Sequence, residues 1–239
     1  MTFNAAFKSR MLVGSLRLST TARSVQPSDT VDMLPIACIE DTAKKFMPGR
    51  GGTAFTFDLM FDVDSSAGGQ YAVLTAWKAT DPLPMTWAPS GLTRGSEAMM
   101  VNGLLTTFTP SDPSDGVAQV ALNTQSTDFT DFGLVLEDET AITADTNGTA
   151  TDNAAATSNG GVAHLHVTAF SGLTSDAIII EHSTNNSVWA TLGTFTTVTA
   201  LTSQRLVIAA GTTVNRYLRV SDDVTGTGSC TRSVSFARR

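Results

Sequence analysis

The sequence predicts an all-β protein with one short helix, built as a larger unit followed by a small antiparallel β-sandwich. Three observations predict it. The 239 residues are rich in Thr, Ala, Ser and Gly, only 15% are charged, and no long helix-forming run of Glu, Lys, Leu and Arg is present. Residues 53–63 alternate with a period of two, placing Phe55, Phe57, Leu59, Phe61 and Val63 on one face and Ala54, Thr56, Asp58, Met60 and Asp62 on the other. The last third repeats short apolar runs between Gly, Ser and Asn turns. Burying the five apolar side chains of residues 53–63 contributes roughly 7–15 kcal/mol at about 1.5–3 kcal/mol each, an upper bound because an unfolded chain is already partly collapsed.

In chain order, residues 11–18 read as a first strand through Leu12, Leu16 and Leu18. Residues 24–32, with Pro27 and two acidic side chains, read as a turn, and residues 33–40 as a second strand. Residues 41–52 contain Pro48, Gly49, Gly51 and Gly52 and read as a long flexible loop. After the alternating strand, Asp64, Ser65 and Ser66 offer helix caps, and Ala72, Val73, Ala76 and Trp77 give residues 71–80 one apolar helical face. Pro82 and Pro84 end that helix. Strands are expected at residues 85–88, 97–109, 116–126 and 129–137, with a turn-rich hairpin loop at 110–116.

Residues 138–161 hold no aromatic side chain and are almost all small or polar, so 141–161 is read as a linker between a unit at 1–140 and a unit at 162–239. Charge changes at the same place. Through Asp145 there are 17 acidic against 9 basic residues; after it there are 5 against 6. Strands are expected in the second unit at 162–169, 177–182, 188–195, 204–210, 214–220 and 230–237.

The net charge of −7 and pI near 4.8 exclude a groove that wraps nucleic acid, which requires clustered Lys and Arg. Cys38 and Cys230 are expected as two idle thiols. Residues 1–20 read as neither a signal peptide nor a membrane span, so synthesis and assembly in a cytoplasm, with no membrane insertion, are expected.

Chemistry-bearing motifs are missing. His164 and His166 share a strand face, yet no third ligand stands at a zinc spacing. Asp222 and Asp223 read as a solvated Gly-rich turn without the alternating oxygen ligands of a calcium loop. There is no nucleophile elbow, phosphate-cradling loop or dinucleotide fingerprint, since Gly226-Thr-Gly228 alone is too short a signal. No metal, no cofactor and no enzymatic activity are expected. Trp77 reads as helix packing and Trp87 as a strand anchor, while Trp189, after Asn185-Asn-Ser187, is the candidate glycan-contacting ring.

The order of features from residue 1 to 138 resembles the major tail tube proteins of bacteriophages with long, non-contractile tails. The resemblance rests on Lys44-Lys-Phe-Met-Pro-Gly49, the alternating strand from Thr53, the helix from Gly69 and Pro84-Met-Thr-Trp-Ala-Pro89, and continues through the long strand at 98–109 and Val117-Ala-Gln-Val-Ala-Leu-Asn-Thr-Gln-Ser126. It implies a barrel-like β-sandwich with a flanking helix, a homohexameric ring that stacks into a virion tail tube, and a lumen that conducts double-stranded DNA during ejection without binding it specifically. It further implies partners among the tape measure, tail terminator and distal tail proteins, and synthesis in a bacterial host. The segment 41–52 matches the position of the family's inter-ring loop, which nominates Lys44, Lys45 and Arg50 as inter-ring contacts. The acidity of the first unit suggests a negative lumen wall that repels DNA, with Asp58 and Asp62 as lumen-facing candidates beside Asp112 and Asp128.

The second unit resembles galactose-binding-like and other carbohydrate-binding sandwiches, through Ile180-Glu-His-Ser-Thr-Asn-Asn-Ser-Val-Trp-Ala-Thr-Leu-Gly193 and Asn215-Arg-Tyr-Leu-Arg-Val220. Those segments are framework and transfer no binding residue. The alternative function is a virion decoration or carbohydrate-binding protein that holds weakly to cell-surface glycans; a glycan hydrolase ranks below it, for want of a carboxylate pair.

Overall fold

The computed structural model describes residues 8–62, 64–66, 69–78, 82–114 and 116–239. It is all-β with one short helix, and every pairing between its strands is antiparallel. In the first part, β1 (Arg10–Val13) and β2 (Leu16–Arg17) form a hairpin where one strand is expected at 11–18. They are followed by β3 (Ala22–Pro35), β4 (Phe46–Met60), helix α1 (Gln70–Trp77) and β5 (Leu83–Ala88). Next come β6 (Glu97–Ser111), β7 (Gln119–Ser126) and β8 (Asp131–Ile142).

β6 joins two sheets. Its first half lies between β5 and β8, and from Gly103 onward it pairs with β7, which pairs in turn with β4 and so reaches β3. A bulge between Leu105 and Thr107 marks the bend, the usual device by which a strand changes sheets. Inside the bend sit Phe55, Phe57, Leu59, Leu74, Trp77, Met85, Val101 and Leu122, all essentially inaccessible. The expected alternation of residues 53–63 therefore holds at Phe55, Phe57 and Leu59. Phe61 is half-buried, with its ring 6.0 Å from Phe108 and 6.1 Å from Tyr71. Val63 lies outside the described residues.

The helix differs from its expected form. Its N-cap is Gly69, with no side-chain cap from Asp64 or Ser66, and its buried face is Gln70, Leu74 and Trp77 instead of Ala72, Val73, Ala76 and Trp77. Gln70 explains the rotation: its side chain accepts from the Asp62 N–H at 2.6 Å and donates to Thr21 at 2.8 Å, locking the first turn to the ends of β3 and β4. Trp77 donates its indole N–H to the Gly103 carbonyl at 3.1 Å. Ala79 and Thr80, expected to extend the helix, lie outside the described residues.

The second part holds β9 (Thr146–Asn147), β10 (Thr151–Asp152), β11 (Gly161–Ser183), β12 (Ala190–Thr194), β13 (Thr202–Ile208) and β14 (Tyr217–Arg238). Two pairs of expected short strands are each one long strand: 162–169 with 177–182 as β11, and 214–220 with 230–237 as β14. The intervening Gly and Ser residues read as turns but form bulges. Gly226, at φ +100°, sits where the register slips opposite Leu173 to Ser175, a conformation an L side chain rarely adopts. Residues 141–161 are likewise ordered by pairing. β9 and β10 lie along β14, Thr157 bridges Val214, and Arg216 makes a bidentate contact to Asp152 at 2.6–2.7 Å. Composition alone conceals this, because the segment borrows its ladder from β14 and needs no apolar face of its own.

The two parts have separate main cores, with a small third cluster of Leu12, Ala88, Leu92, Ala98 and Val135, and they meet at the β8–β14 ladder and where β11 packs on β5. The second core gathers Leu165, Ile178, Ile180, Val198, Val214, Val220, Val234 and Phe236 around β11 and β14. The seam is the pairing of β8 with β14, and at Gly133 the backbones approach so closely that an added Cβ would lie 2.2 Å from the Phe236 carbonyl oxygen. Charge fastens the same edge: Arg205 reaches Asp128 at 2.5 Å and Arg239 reaches Asp131 at 2.8 Å. Cys38 and Cys230 are both free thiols. Among the described residues no helix is long and apolar enough to cross a membrane.

Candidate assembly surface

The segments expected as a turn at 24–32, a strand at 33–40 and a flexible loop at 41–52 form a single long arm, in which strand structure runs unbroken through 24–32 and stops at Pro35. β3 and β4 pair from Ala22–Leu59 out to Pro35–Phe46, and Ile36 continues the ladder by donating its N–H to the Lys45 carbonyl at 3.0 Å. Pro27 is accommodated because β3 pairs only with β4 and is therefore an edge strand. Near Thr53 the arm leaves the body, braced by Thr53 N–H to Ser126 at 2.8 Å and by Asp29, which accepts from Thr53 at 2.7 Å and Thr130 at 3.0 Å. Beyond that brace almost every residue is exposed on both faces. The seven residues Phe46 to Gly52, at about 3.3 Å each, carry the tip roughly 20 Å outward.

What the arm exposes is apolar. Val31, Met33, Leu34, Ile36, Phe46 and Met47 are each about half accessible and Ile39 is fully accessible. A two-stranded ribbon whose outer side chains are mostly exposed is marginal in water, and such a concentration of apolar side chains marks an interaction surface. Lys44, Lys45 and Arg50 are on this arm. Lys44 is exposed at the tip with no ion pair among the described residues, Lys45 is tied to Asp41, and Arg50 is exposed within β4. The position of the family's inter-ring loop nominates these three; the strand expected at 33–40 covers Met33, Leu34, Ile36 and Ile39, but β3 ends at Pro35, and the pairing of Phe46 to Gly52 is hidden by its Pro- and Gly-rich context.

Behind the core, β3, β4, β7 and β6 present a second, polar face. Register aligns Ser24 with Asp58 and Ala121, Gln26 with Thr56 and Asn123, and Ser28 with Ala54 and Gln125, with Thr107 and Thr109 beyond. Asp58 is exposed there and accepts from Ser24 at 2.8 Å. The other acidic candidates are elsewhere. Asp62 follows the end of β4, where it accepts from the Asp64 N–H at 3.1 Å; Asp112 follows β6; Asp128 is engaged by Arg205. The face is therefore mostly hydroxyl and amide in character with one carboxylate, interrupted by exposed Met60 and Leu104, instead of strongly acidic.

Trp189 is half-buried, and the Arg219 guanidinium lies 4.3 Å from its ring centroid while also bonding Glu181 at 2.6 Å. One ring face is thus occupied by a cation. His164 and His166 are fully buried where the two parts meet. His166 Nδ1 donates to the Gly14 carbonyl at 2.7 Å, so its Nε2 accepts from Thr86 at 2.8 Å, and His164 Nδ1 donates to the Thr86 oxygen at 3.3 Å. Burial lowers both pKa values, to about 4 for His166 and well below 6.5 for His164, where His166 and Arg205 add to the effect.

Asp222 is not in a solvated turn. It is buried in β14 and accepts from Arg232 Nε at 3.0 Å and from Nη2, because a cation ten residues along the same strand neutralises it. Nearby Asp176 is also buried; desolvation and then Asp222 lift its pKa to about 6, and burial pushes Cys230 up to about 12. Among the described residues no group of three or more His, Cys, Asp or Glu is arranged to hold a metal ion.

No protein-family model and no curated protein matches the chain. Solved structures with a similar course include a component of the virion of a native gene transfer agent particle, at TM-score 0.40 and 10% identity over 47% of this chain and 84% of that one. The tail of an empty gene transfer agent particle, refined with C6 symmetry, gives TM-score 0.39 and 10% identity over 47% and 81%. The Dit protein of phage SPP1, described as a hub adsorption apparatus, gives TM-score 0.39 and 11% identity over 96% and 98%. Similarity at this level carries no argument about function.

Proposed function

We propose that the protein is a structural subunit of a bacteriophage tail, self-assembling into stacked, six-fold rings of a tail tube whose lumen conducts DNA. The observation that carries this reading is the arm, whose two strands and connecting tip leave seven large apolar side chains about half or more accessible. A ribbon that buries neither face adds little to a monomer, whereas a subunit that joins its neighbours can bury it. The polar face of β3, β4, β7 and β6 suits a lumen wall. Its hydroxyls and amides offer no cation to the phosphates, so a duplex has nothing to adhere to. Asp58 adds a mild repulsion on that face. The resemblance of residues 1–138 to tail tube proteins supplies the ring and stacking geometry. The tape measure, terminator and distal tail proteins, and a virion location after synthesis in a bacterial cytoplasm, follow from the same reading.

Weak host-surface adhesion through the second unit has less support, since Arg219 already covers one face of Trp189. Negative-stain microscopy of the purified chain over rising concentration tests the main reading. Rings or tubes of uniform width are expected; monomers persisting at high concentration would count against it.

A further inference from the structure

A second apolar surface lies away from the arm, at the seam between β5, β6, β8 and β14. There a groove of about 540 Å³ is lined by Met99, Phe236, Trp87, Leu134 and Phe132, the last 64% accessible, and by Arg238, whose guanidinium is engaged by the carbonyls of Ala155, Val214, Asn215 and Arg216. Its volume falls within the range of roughly 300–1,000 Å³ that takes up compact apolar groups. Glu97 stands exposed on its rim with no ion-pair partner among the described residues. At the arm tip the complement is found: Ile36, Ile39, Phe46 and Met47 are exposed, and Lys44 is exposed beside them.

We infer that the groove receives the arm tip of a second copy of this chain. The inference rests on the tail-subunit reading and adds where the arm seats. Apolar side chains of the tip fill the groove, and Lys44 pairs with Glu97 on the rim. The arm is a paired ribbon that leaves its own body at Thr53, so its tip is presented outward to another molecule. Because arm and groove are different patches, the contact is head-to-tail. Where the two contacts are not reciprocal, it closes into a ring or propagates along an axis; a reciprocal exchange of arms would give a two-fold dimer, which sedimentation distinguishes.

Four variants of the full chain test this, each at an exposed position so that folding is kept: Phe46→Asp on the arm, Phe132→Asp in the groove, Lys44→Glu and Glu97→Lys. Sedimentation velocity reads the assembly state and circular dichroism confirms the fold. Phe46→Asp and Phe132→Asp each should abolish assembly alone. Mixed in equal amounts they should form a one-to-one complex and no larger species, since only one intact arm and one intact groove remain to meet. Lys44→Glu and Glu97→Lys each should raise the concentration for half-assembly about tenfold, the equivalent of 1.4 kcal/mol, and the double variant should restore it. If Phe132→Asp and Glu97→Lys assemble as the wild type does while Phe46→Asp fails, the arm seats elsewhere and this inference falls while the tail-subunit reading stands. If the wild type itself never assembles, both fall.

Discussion

At the residue scale, the energetics of the second unit turn on a few buried ionisable groups. Asp222 and Arg232 are both essentially inaccessible and neutralise each other through Asp222 Oδ1, while Asp222 Oδ2 and Arg232 Nη1 stay without a partner among the described residues, so removing one leaves the other charge buried without its counter-ion. Asp222→Asn should therefore lower unfolding free energy by about 3–5 kcal/mol in urea, whereas an apolar replacement of both partners should cost far less. The histidines at the junction set an acid limit. Their folded pKa values lie below that of an unfolded histidine, so their contribution is fully present above pH 6.5 and is lost as pH falls toward about 4. Asp176 works in the opposite sense: its folded pKa near 6 means that stability rises as pH drops from 6 toward 3.8. Urea titrations at pH 7.5 and 4.5 should thus show a loss on acidification that steepens in Asp176→Asn and shrinks in His166→Gln. A flat response in all three proteins would contradict the assignment. None of this was legible in the sequence. Two histidines two residues apart announce a shared strand face, but their partners Thr86, in β5, and Gly14, in the β1–β2 turn, lie some eighty and one hundred and fifty residues away.

At the element scale, the arm and the seam carry the distinctive behaviour. Truncating the arm by replacing residues 34–47 with a two-residue turn should leave the thermal midpoint nearly unchanged, since that segment touches neither core, yet abolish self-association in light scattering. Gly133→Ala should do the reverse locally. The added methyl meets backbone atoms of β14, which cannot move aside as a side chain can, so stability should fall by about 1–3 kcal/mol on thermal unfolding. Elements with a one-sided core were readable in advance: the alternation at Phe55, Phe57 and Leu59 located β4, and β5 to β8 were found within a few residues. Elements that bury neither face were not. Outer β3, outer β4, β9 and β10 have no hydrophobic period because their order comes from ladder hydrogen bonds alone, and the bulged middles of β11 and β14 look like turns.

At the scale of the whole molecule, the two parts share a β8 to β14 ladder and a ring of ion pairs at Asp128 and Asp131, so they form one continuous body with two main cores. From that body one apolar arm projects, and at the seam one apolar groove opens. The charge asymmetry of the sequence, acidic before residue 146 and nearly neutral after it, does not map onto a single acidic wall, because carboxylates such as Asp128, Asp131 and Glu139 are spent on Arg205, Arg239 and Arg17. The central claim is self-assembly through the arm. Sedimentation velocity of the wild-type chain beside the arm-truncated chain, at matched concentration and salt, measures it most directly. Rings or longer species for the wild type with a single monomer boundary for the truncated chain are predicted; two identical monomer boundaries, or assembly that survives loss of the arm, would contradict the account.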